Sequence, residues 1–347
     1  MSEASDRQAD AVAALRRIAF LLERAQASPY RSEAFRKAAV SVERQDPDRL
    51  VALGASGSLA DLPAVGARTA DVVAHVLRGK RVEYLDTLEA EHATSQAASV
   101  DPRALALRRA LRGDLHSHTE ASDGATPMQE MVLGALELGH EYLAITDHSP
   151  RLTVANGLSA SRLRAQLDQV AALNRAVGPF RVLSGIECDI LDDGSLDQDP
   201  DLLDRLDVVV ASVHSKLRME SGPMTRRMIA AVSNPRTDVL GHCTGRQIKG
   251  KSRPPSEFDA RAVFDACAEH GVAVEINCRP DRLDPPHELL TVAIDAGCDF
   301  SIDTDSHAPG QLDWLMAGCA RAAQHDLDPS RVITTLPVED LLARTHR

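Results

Sequence analysis

The chain has 347 residues, 44% of them hydrophobic and 26% charged, which is enough for one large and one small domain with packed cores. No run of about 18 apolar residues exists, and Met1-Ser2-Glu3-Ala4-Ser5-Asp6 lacks the basic and apolar stretches of a secretory signal, so the protein reads as cytoplasmic, with no membrane partner. The formal charge of −12 restricts any nucleic-acid contact to a local basic patch, and one Trp, three Tyr and six Phe exclude a surface of aromatic stacking platforms. The six cysteines contain no Cys-x-x-Cys pair, which argues against a disulfide framework or a zinc knuckle.

From about Asp10 to Glu91 the sequence is alanine-rich with helical spacing, as in Val12, Leu15, Ile18, Ala19 and Leu22, and Ser28-Pro29-Tyr30 separates a first helix from a second carrying Phe35, Ala38, Ala39 and Val42. The segment from Leu59 to Ala70, with Pro63, Ala64, Val65 and Gly66 at its centre, predicts a tight turn feeding a helix N-terminus, whose free N–H groups suit a phosphate. This segment resembles a helix-hairpin-helix motif, with Ala64 where the motif has its first glycine, and Tyr30 to Ala39 resembles the small N-terminal domain of bacterial family X DNA polymerases. Arg68, Arg78, Lys80 and Arg81 are the cations expected near a DNA backbone; the alternative is a helical packing domain with a solvated basic face. Residues 1–92 are therefore read as a helical domain and 93–112 as a linker with a short helix.

From Gly113 the texture changes to short β-branched runs alternating with helical stretches, the pattern of βα units around a parallel sheet. Seven strands are predicted: Gly113 to His118, Tyr142 to His148, Arg181 to Asp189, Val208 to His214, Val239 to Cys243, Ala273 to Cys278 and Phe300 to His307. His116 and His118, one residue apart, would point to the same face of the first strand. Asp147, His148, Glu187, His214, His242, Asp305 and His307 fall at or near the ends of later strands. In a parallel barrel or a doubly wound sheet, all strand C-terminal ends share one face, so these residues converge although they are distant in sequence.

The runs Gly113 to Gly124, Ile145-Thr146-Asp147-His148, Gly185-Ile186-Glu187, Ser212-Val213-His214, Gly241-His242 and Asp303 to His307 resemble the successive motifs of the PHP (polymerase and histidinol phosphatase) superfamily. The resemblance implies an α/β fold, a distorted seven-stranded TIM-like βα barrel over 113–347, and two to three divalent ions, manganese, zinc or iron. Carried over position by position, it implies one ion at His116, His118, Glu187 and Asp305, a second at His214 and His242 bridged by Glu187, and a third at Asp123, His148 and His307. It implies hydrolysis of a phosphate ester by a metal-activated water, with Glu187, Asp305 and His307 central to catalysis and no serine or cysteine nucleophile. Asp114, Asp147 and Asp303 are candidates to orient the histidines or to cap loops.

Substrate contacts are expected from Arg246 and Lys249, in the basic stretch Gly245 to Pro255, and from Arg279 in the loop after the sixth strand. His75, His92, His140, His270, His287, His325 and His346 lie away from strand ends and are assigned no catalytic role. The whole chain resembles a family X polymerase without a region for palm and fingers, which implies hydrolysis at DNA 3′ ends, as exonuclease or 3′-phosphatase in repair. The alternatives are a small-molecule phosphatase, such as one for histidinol phosphate, and a non-catalytic scaffold binding DNA or a polymerase.

Overall fold

The computed structural model describes residues 2–96, 101–250 and 252–345, and the chain divides into two compact units, Met1–Ser99 and Val100–Arg347. The first unit holds α1 (Glu3–Arg24), α2 (Pro29–Glu43), α3 (Pro47–Ser56), α4 (Ala67–Leu77) and α5 (Glu83–Gln96). Ser2 caps α1 by accepting from the Ser5 amide, and Pro29 and Pro47 open α2 and α3 where no backbone donor is needed. The stripe Leu15, Ile18, Ala19 and Leu22 is fully buried, and the other four helices pack around α1. Between α3 and α4, Ala64 adopts φ +59°, a left-handed conformation costing an L-residue about 1–2 kcal/mol relative to glycine. The Thr69 hydroxyl accepts from the Gly66 amide at 2.9 Å and fixes the start of α4.

The second unit runs α6 (Pro102–Ala110), β1 (Gly113–Asp114), α7 (Met128–Glu137), β2 (Tyr142–Ile145), α8 (Ala160–Val177), β3 (Arg181–Asp189), α9 (Pro200–Leu203), β4 (Val208–Ser212), α10 (Ser221–Val232), β5 (Val239–Leu240), α11 (Ala260–His270), β6 (Ala273–Asn277), α12 (His287–Asp295), β7 (Phe300–Asp303), α13 (Leu315–Gln324) and α14 (Val338–Thr345). All seven strands are parallel and lie in sequence order. A bridge between Ser117 and Ser306, with the His118 amide donating to the Ser306 carbonyl at 2.8 Å, brings the two outer strands' continuations together in a nearly closed barrel.

Strand periodicity sorts the core. Tyr142, Ala144, Val208, Val210 and Ala273 pack with Leu115 and with Leu341 of α14, whereas Leu143 and Ile145 pack with Met131 of α7 and Val170 of α8. No helix among the described residues is long and apolar enough to cross a membrane.

Several strands stop short of their predicted ends because the next amides bond to side chains instead of to a neighbouring strand. The Leu115 amide donates to Asp303, that of His116 to Asp114, that of Ser117 to Thr146, that of Thr119 to Asp147 and that of His214 to Asp189. The segment read as a linker with a short helix contains that helix, α6, and the end of α5 as well. α5 reaches Gln96, and α6 packs on α13 through buried Ala104 and Leu107, so helix occupies most of residues 93–112, of which 97–100 lie outside the described residues. Lys251 of the basic stretch and His346 also lie outside them.

Candidate metal centre

The strand ends deliver nine side chains to one place. Glu187, fully buried near the end of β3, lies at the centre, with His242 Nε2 at 2.8 Å and His214 Nε2 at 3.2 Å from Oε1, and His148 Nδ1 at 2.8 Å and His116 Nε2 at 3.4 Å from Oε2. His118 Nε2 lies 3.4 Å from Asp305 Oδ1 and 3.7 Å from Glu187 Oε2. Asp123 Oδ1 lies 3.5 Å from His148 Nε2 and 3.4 Å from His307 Nε2. Asp305 holds φ +51°, a left-handed turn that places its carboxylate and His307 on the same cluster.

These donors form four overlapping groups, each with ligand atoms within 4.8 Å of one another: His118, Asp123, His148 and His307; His116, Glu187 and His242; His116, His118 and Asp305; His148, Glu187 and His214. The grouping differs in detail from the three sets expected. His148 faces both Glu187 and Asp123, and His116 belongs to one group with Glu187 and to another with His118 and Asp305.

Burial and pairing test whether cations fit here. His116 Nε2, both ring nitrogens of His118 and His214, and both carboxylate oxygens of Glu187 are buried without a hydrogen-bond partner, the close approaches lacking hydrogen-bond angles. Unsatisfied buried groups of this kind cost about 1–3 kcal/mol each, and imidazole lone pairs facing carboxylate oxygens are the donor set that divalent transition metals take. Burial pushes Glu187 upward, but His214, His116, His148 and His242 together outweigh it and hold the carboxyl well below the usual range. Burial, helped by His307 and His148, keeps His118 neutral by depressing it well below its ordinary value.

The remaining sequence candidates separate. Arg279 reaches the cluster, its NH1 lying 3.3 Å from both Asp305 Oδ1 and His307 Nδ1. Arg246 is turned elsewhere, with Nε donating to the Arg282 carbonyl at 3.0 Å and NH2 to the Leu283 carbonyl, so it braces the loop that carries Arg279. Lys249 is exposed. Asp114, Asp147 and Asp303 hold backbone amides and hydroxyls of the ligand-bearing segments, and the carboxylates that touch histidine rings from behind are others. Glu275 meets His116 Nδ1 at 2.6 Å, and Asp189 lies 3.7 Å from His214 Nδ1. Sequence reasoning missed both, and also Arg282, whose Nε lies 3.2 Å from Asp305 Oδ2. The available signal for Glu275 was an acid between Val274 and Ile276 in an apolar strand.

Exposure is graded across the cluster. Glu187, His116 and His118 have fully buried side chains, whereas Asp123 keeps 36% and His307 17% of theirs accessible. The arrangement can therefore hold cations deep in the barrel mouth and present one edge, bordered by Arg279, to an arriving anion.

The PHP domain family matches residues 114–303. Over 237 residues, 68% of the chain, the sequence is 38% identical to the DNA polymerase/3′-5′ exonuclease PolX of Bacillus subtilis and spans 41% of that protein's length. Over 234 residues, 65% of the chain, it is 27% identical to the probable phosphatase YcdX of Escherichia coli and spans 90% of it. The histidinol phosphate phosphatase of Lactococcus lactis, crystallised with zinc, L-histidinol and phosphate, superposes with a TM-score of 0.45 at 19% identity, covering 62% of this chain and 93% of that one.

Proposed function

Since the chain belongs to the PHP family and is a metal-dependent phosphoesterase, we propose that it hydrolyses phosphate esters at DNA 3′ ends, as an exonuclease or 3′-phosphatase. His116, His118, Asp123, His148, Glu187, His214, His242, Asp305 and His307 would hold two to three divalent ions of manganese, zinc or iron, for which the unpartnered ring nitrogens and carboxylate oxygens are suited. Bound there, divalent ions supply charge neutralisation of the ester and activate water for attack.

The chain's own residues define how a substrate would enter. The observation that carries the reading is the open edge at Asp123 and His307, which admits a phosphate carried at the end of a polymer rather than requiring a substrate small enough to be enclosed. Arg279, pointing at that edge, presents guanidinium donors to the phosphate oxygens, and Arg282 lies behind it against Asp305. Against burial, neighbouring imidazoles hold the Glu187 carboxyl, and Arg279 with His118 the Asp305 carboxyl, well below the usual carboxylate range, so both are available as anionic acceptors within the cluster. The identity to a polymerase with 3′-5′ exonuclease activity supports DNA as the substrate, and the helical unit would position it through the turn before α4, with Arg68 at the backbone.

A second reading, a phosphatase for a small phosphomonoester, is favoured by the likeness to YcdX, most of whose length the chain covers, and by the formal charge of −12. Manganese-loaded protein assayed in parallel on a 3′-phosphorylated nicked duplex, a recessed duplex and histidinol phosphate separates the two. Release from DNA that is lost in Glu187→Ala supports the first reading, and turnover of histidinol phosphate alone overturns it.

A further inference from the structure

Glu275 sits in the middle of β6 with its side chain fully buried, between Val274 and Ile276, which pack on the outer core. A glutamate at a position of this kind is retained only when its oxygens are satisfied, and both of them are. Oε1 lies 2.6 Å from His116 Nδ1, and Oε2 accepts from the His242 backbone amide at 2.5 Å and from Asn277 Nδ2 at 3.2 Å. The same Asn277 amide reaches Asp305 Oδ2 at 3.3 Å. One carboxylate therefore touches the ring of one histidine, the backbone of a second and, through Asn277, the carboxylate of a third cluster member.

We propose that Glu275 is a positioning residue that holds His116 in the Nδ1–H tautomer and ties the His242 segment to it, so that the group His116, Glu187 and His242 is assembled before a divalent ion arrives. The inference rests on reading the cluster as a metal site. The Glu275 carboxylate already accepts from the His242 amide and from Asn277, so toward the ring nitrogen 2.6 Å away it acts as acceptor and Nδ1 as donor; in the neutral ring, the form that binds a metal, the Nε2 lone pair is then directed at Glu187, 3.4 Å off. The Asp114, Asp147 and Asp303 carboxylates do not substitute for this contact, because their partners are backbone amides and hydroxyl or amide side chains. Glutamine at 275 cannot reproduce it, since its amide nitrogen would confront either the His116 N–H or the His242 N–H, donor against donor.

The first test needs no variant. In zinc-loaded full-length protein labelled with ¹⁵N-histidine, His116 should show a protonated Nδ1 and an unprotonated Nε2, and a His116 protonated at Nε2 would overturn the proposal. The second test is metal retention against graded chelator, read by elemental analysis. Glu275→Gln should lose affinity about 10- to 100-fold, Glu275→Asp should recover part of it, and the metal-free forms should keep the parent's far-ultraviolet circular dichroism. Parent-like retention in Glu275→Gln, with retention lost in Glu187→Gln, overturns the positioning role alone. Unchanged retention in Glu187→Gln overturns the metal reading and this inference with it. If Glu275→Gln does not fold, the tautomer in the parent protein decides.

Discussion

In the helical unit, buried Glu23 is closed by Arg36, whose Nε and NH2 donate to the two carboxylate oxygens at 2.9 and 2.8 Å, while Glu89 is gripped in the same two-pronged way by Arg17. In the barrel unit Glu187 is buried still more deeply and faces five imidazoles, yet neither of its oxygens completes a hydrogen bond. The two units have similar raw material, acids buried among bases, and arrange it oppositely. Arginine forks and carboxylates satisfy each other and lock helices together. Imidazoles crowded on a single carboxylate satisfy nothing without a further cation, and the difference marks where packing ends and chemistry begins.

The largest test of that contrast is Glu187→Ala, which should lower divalent-metal-dependent phosphoesterase activity about 10³-fold or more and release the metal. Activity kept within a few fold would show that the crowded centre is only another way of packing. Arg36→Ala should act in the other unit, weakening it by about 3 kcal/mol through the loss of a buried pair while leaving metal retention intact. Trp314, the single tryptophan, lies in the barrel unit. Denaturation followed by circular dichroism should therefore shift ahead of denaturation followed by Trp314 fluorescence, and coincident shifts would break the division.

Arg279→Ala should raise KM for the phosphate ester about 10- to 100-fold, as the loss of a charged donor to an anion requires, with a smaller change in kcat. His140 sharpens the contrast from a third direction, as a buried histidine whose ring nitrogens have no hydrogen-bond partner and which lies outside the cluster. Burial, with Arg108 nearby, lowers it from 6.5 to about 3. The unfolded chain therefore takes up the proton first, and stability present above pH 6.5 is lost as pH falls through that window, by about 2 kcal/mol at pH 5. His140→Leu should shrink the difference in urea midpoint between pH 7.5 and pH 5, and an unchanged difference would assign the loss to the cluster. Smallest of all, Lys249→Ala should leave KM within about twofold, since exposed cations contribute little, whereas Arg246→Ala should loosen the loop carrying Arg279.

Much of the barrel was legible because its signals are local. Buried parallel strands read as apolar β-branched runs, and histidines and acids closing those runs point to one face, which placed the seven strands and brought eight of the nine clustered side chains together; Asp123, in the loop after β1, came from the family resemblance. What was not legible depends on partners far apart in sequence. Strand ends at Asp114 and Leu240 are followed by amides that leave the ladder for distant carboxylates and hydroxyls, and the Thr146 amide just after Ile145 donates to the Ser117 carbonyl. Arg246 looked like a phosphate ligand from its basic neighbours, and only the carbonyls of Arg282 and Leu283 reveal it as a brace. Glu275 was hidden by the same rule that exposed the strands, since an apolar run is recognised by ignoring the polar residues inside it.

The graded exposure of the cluster also sets a clock. An ion held between Asp123, His148 and His307 would trade with solvent through the accessible edge, whereas one held by the buried His116, Glu187 and His242 would exchange more slowly. The inner position would then keep its occupant through dilution and dialysis while the outer one follows the surrounding concentration from moment to moment. A single chain would thus carry a long-lived charge and a short-lived one that tracks supply.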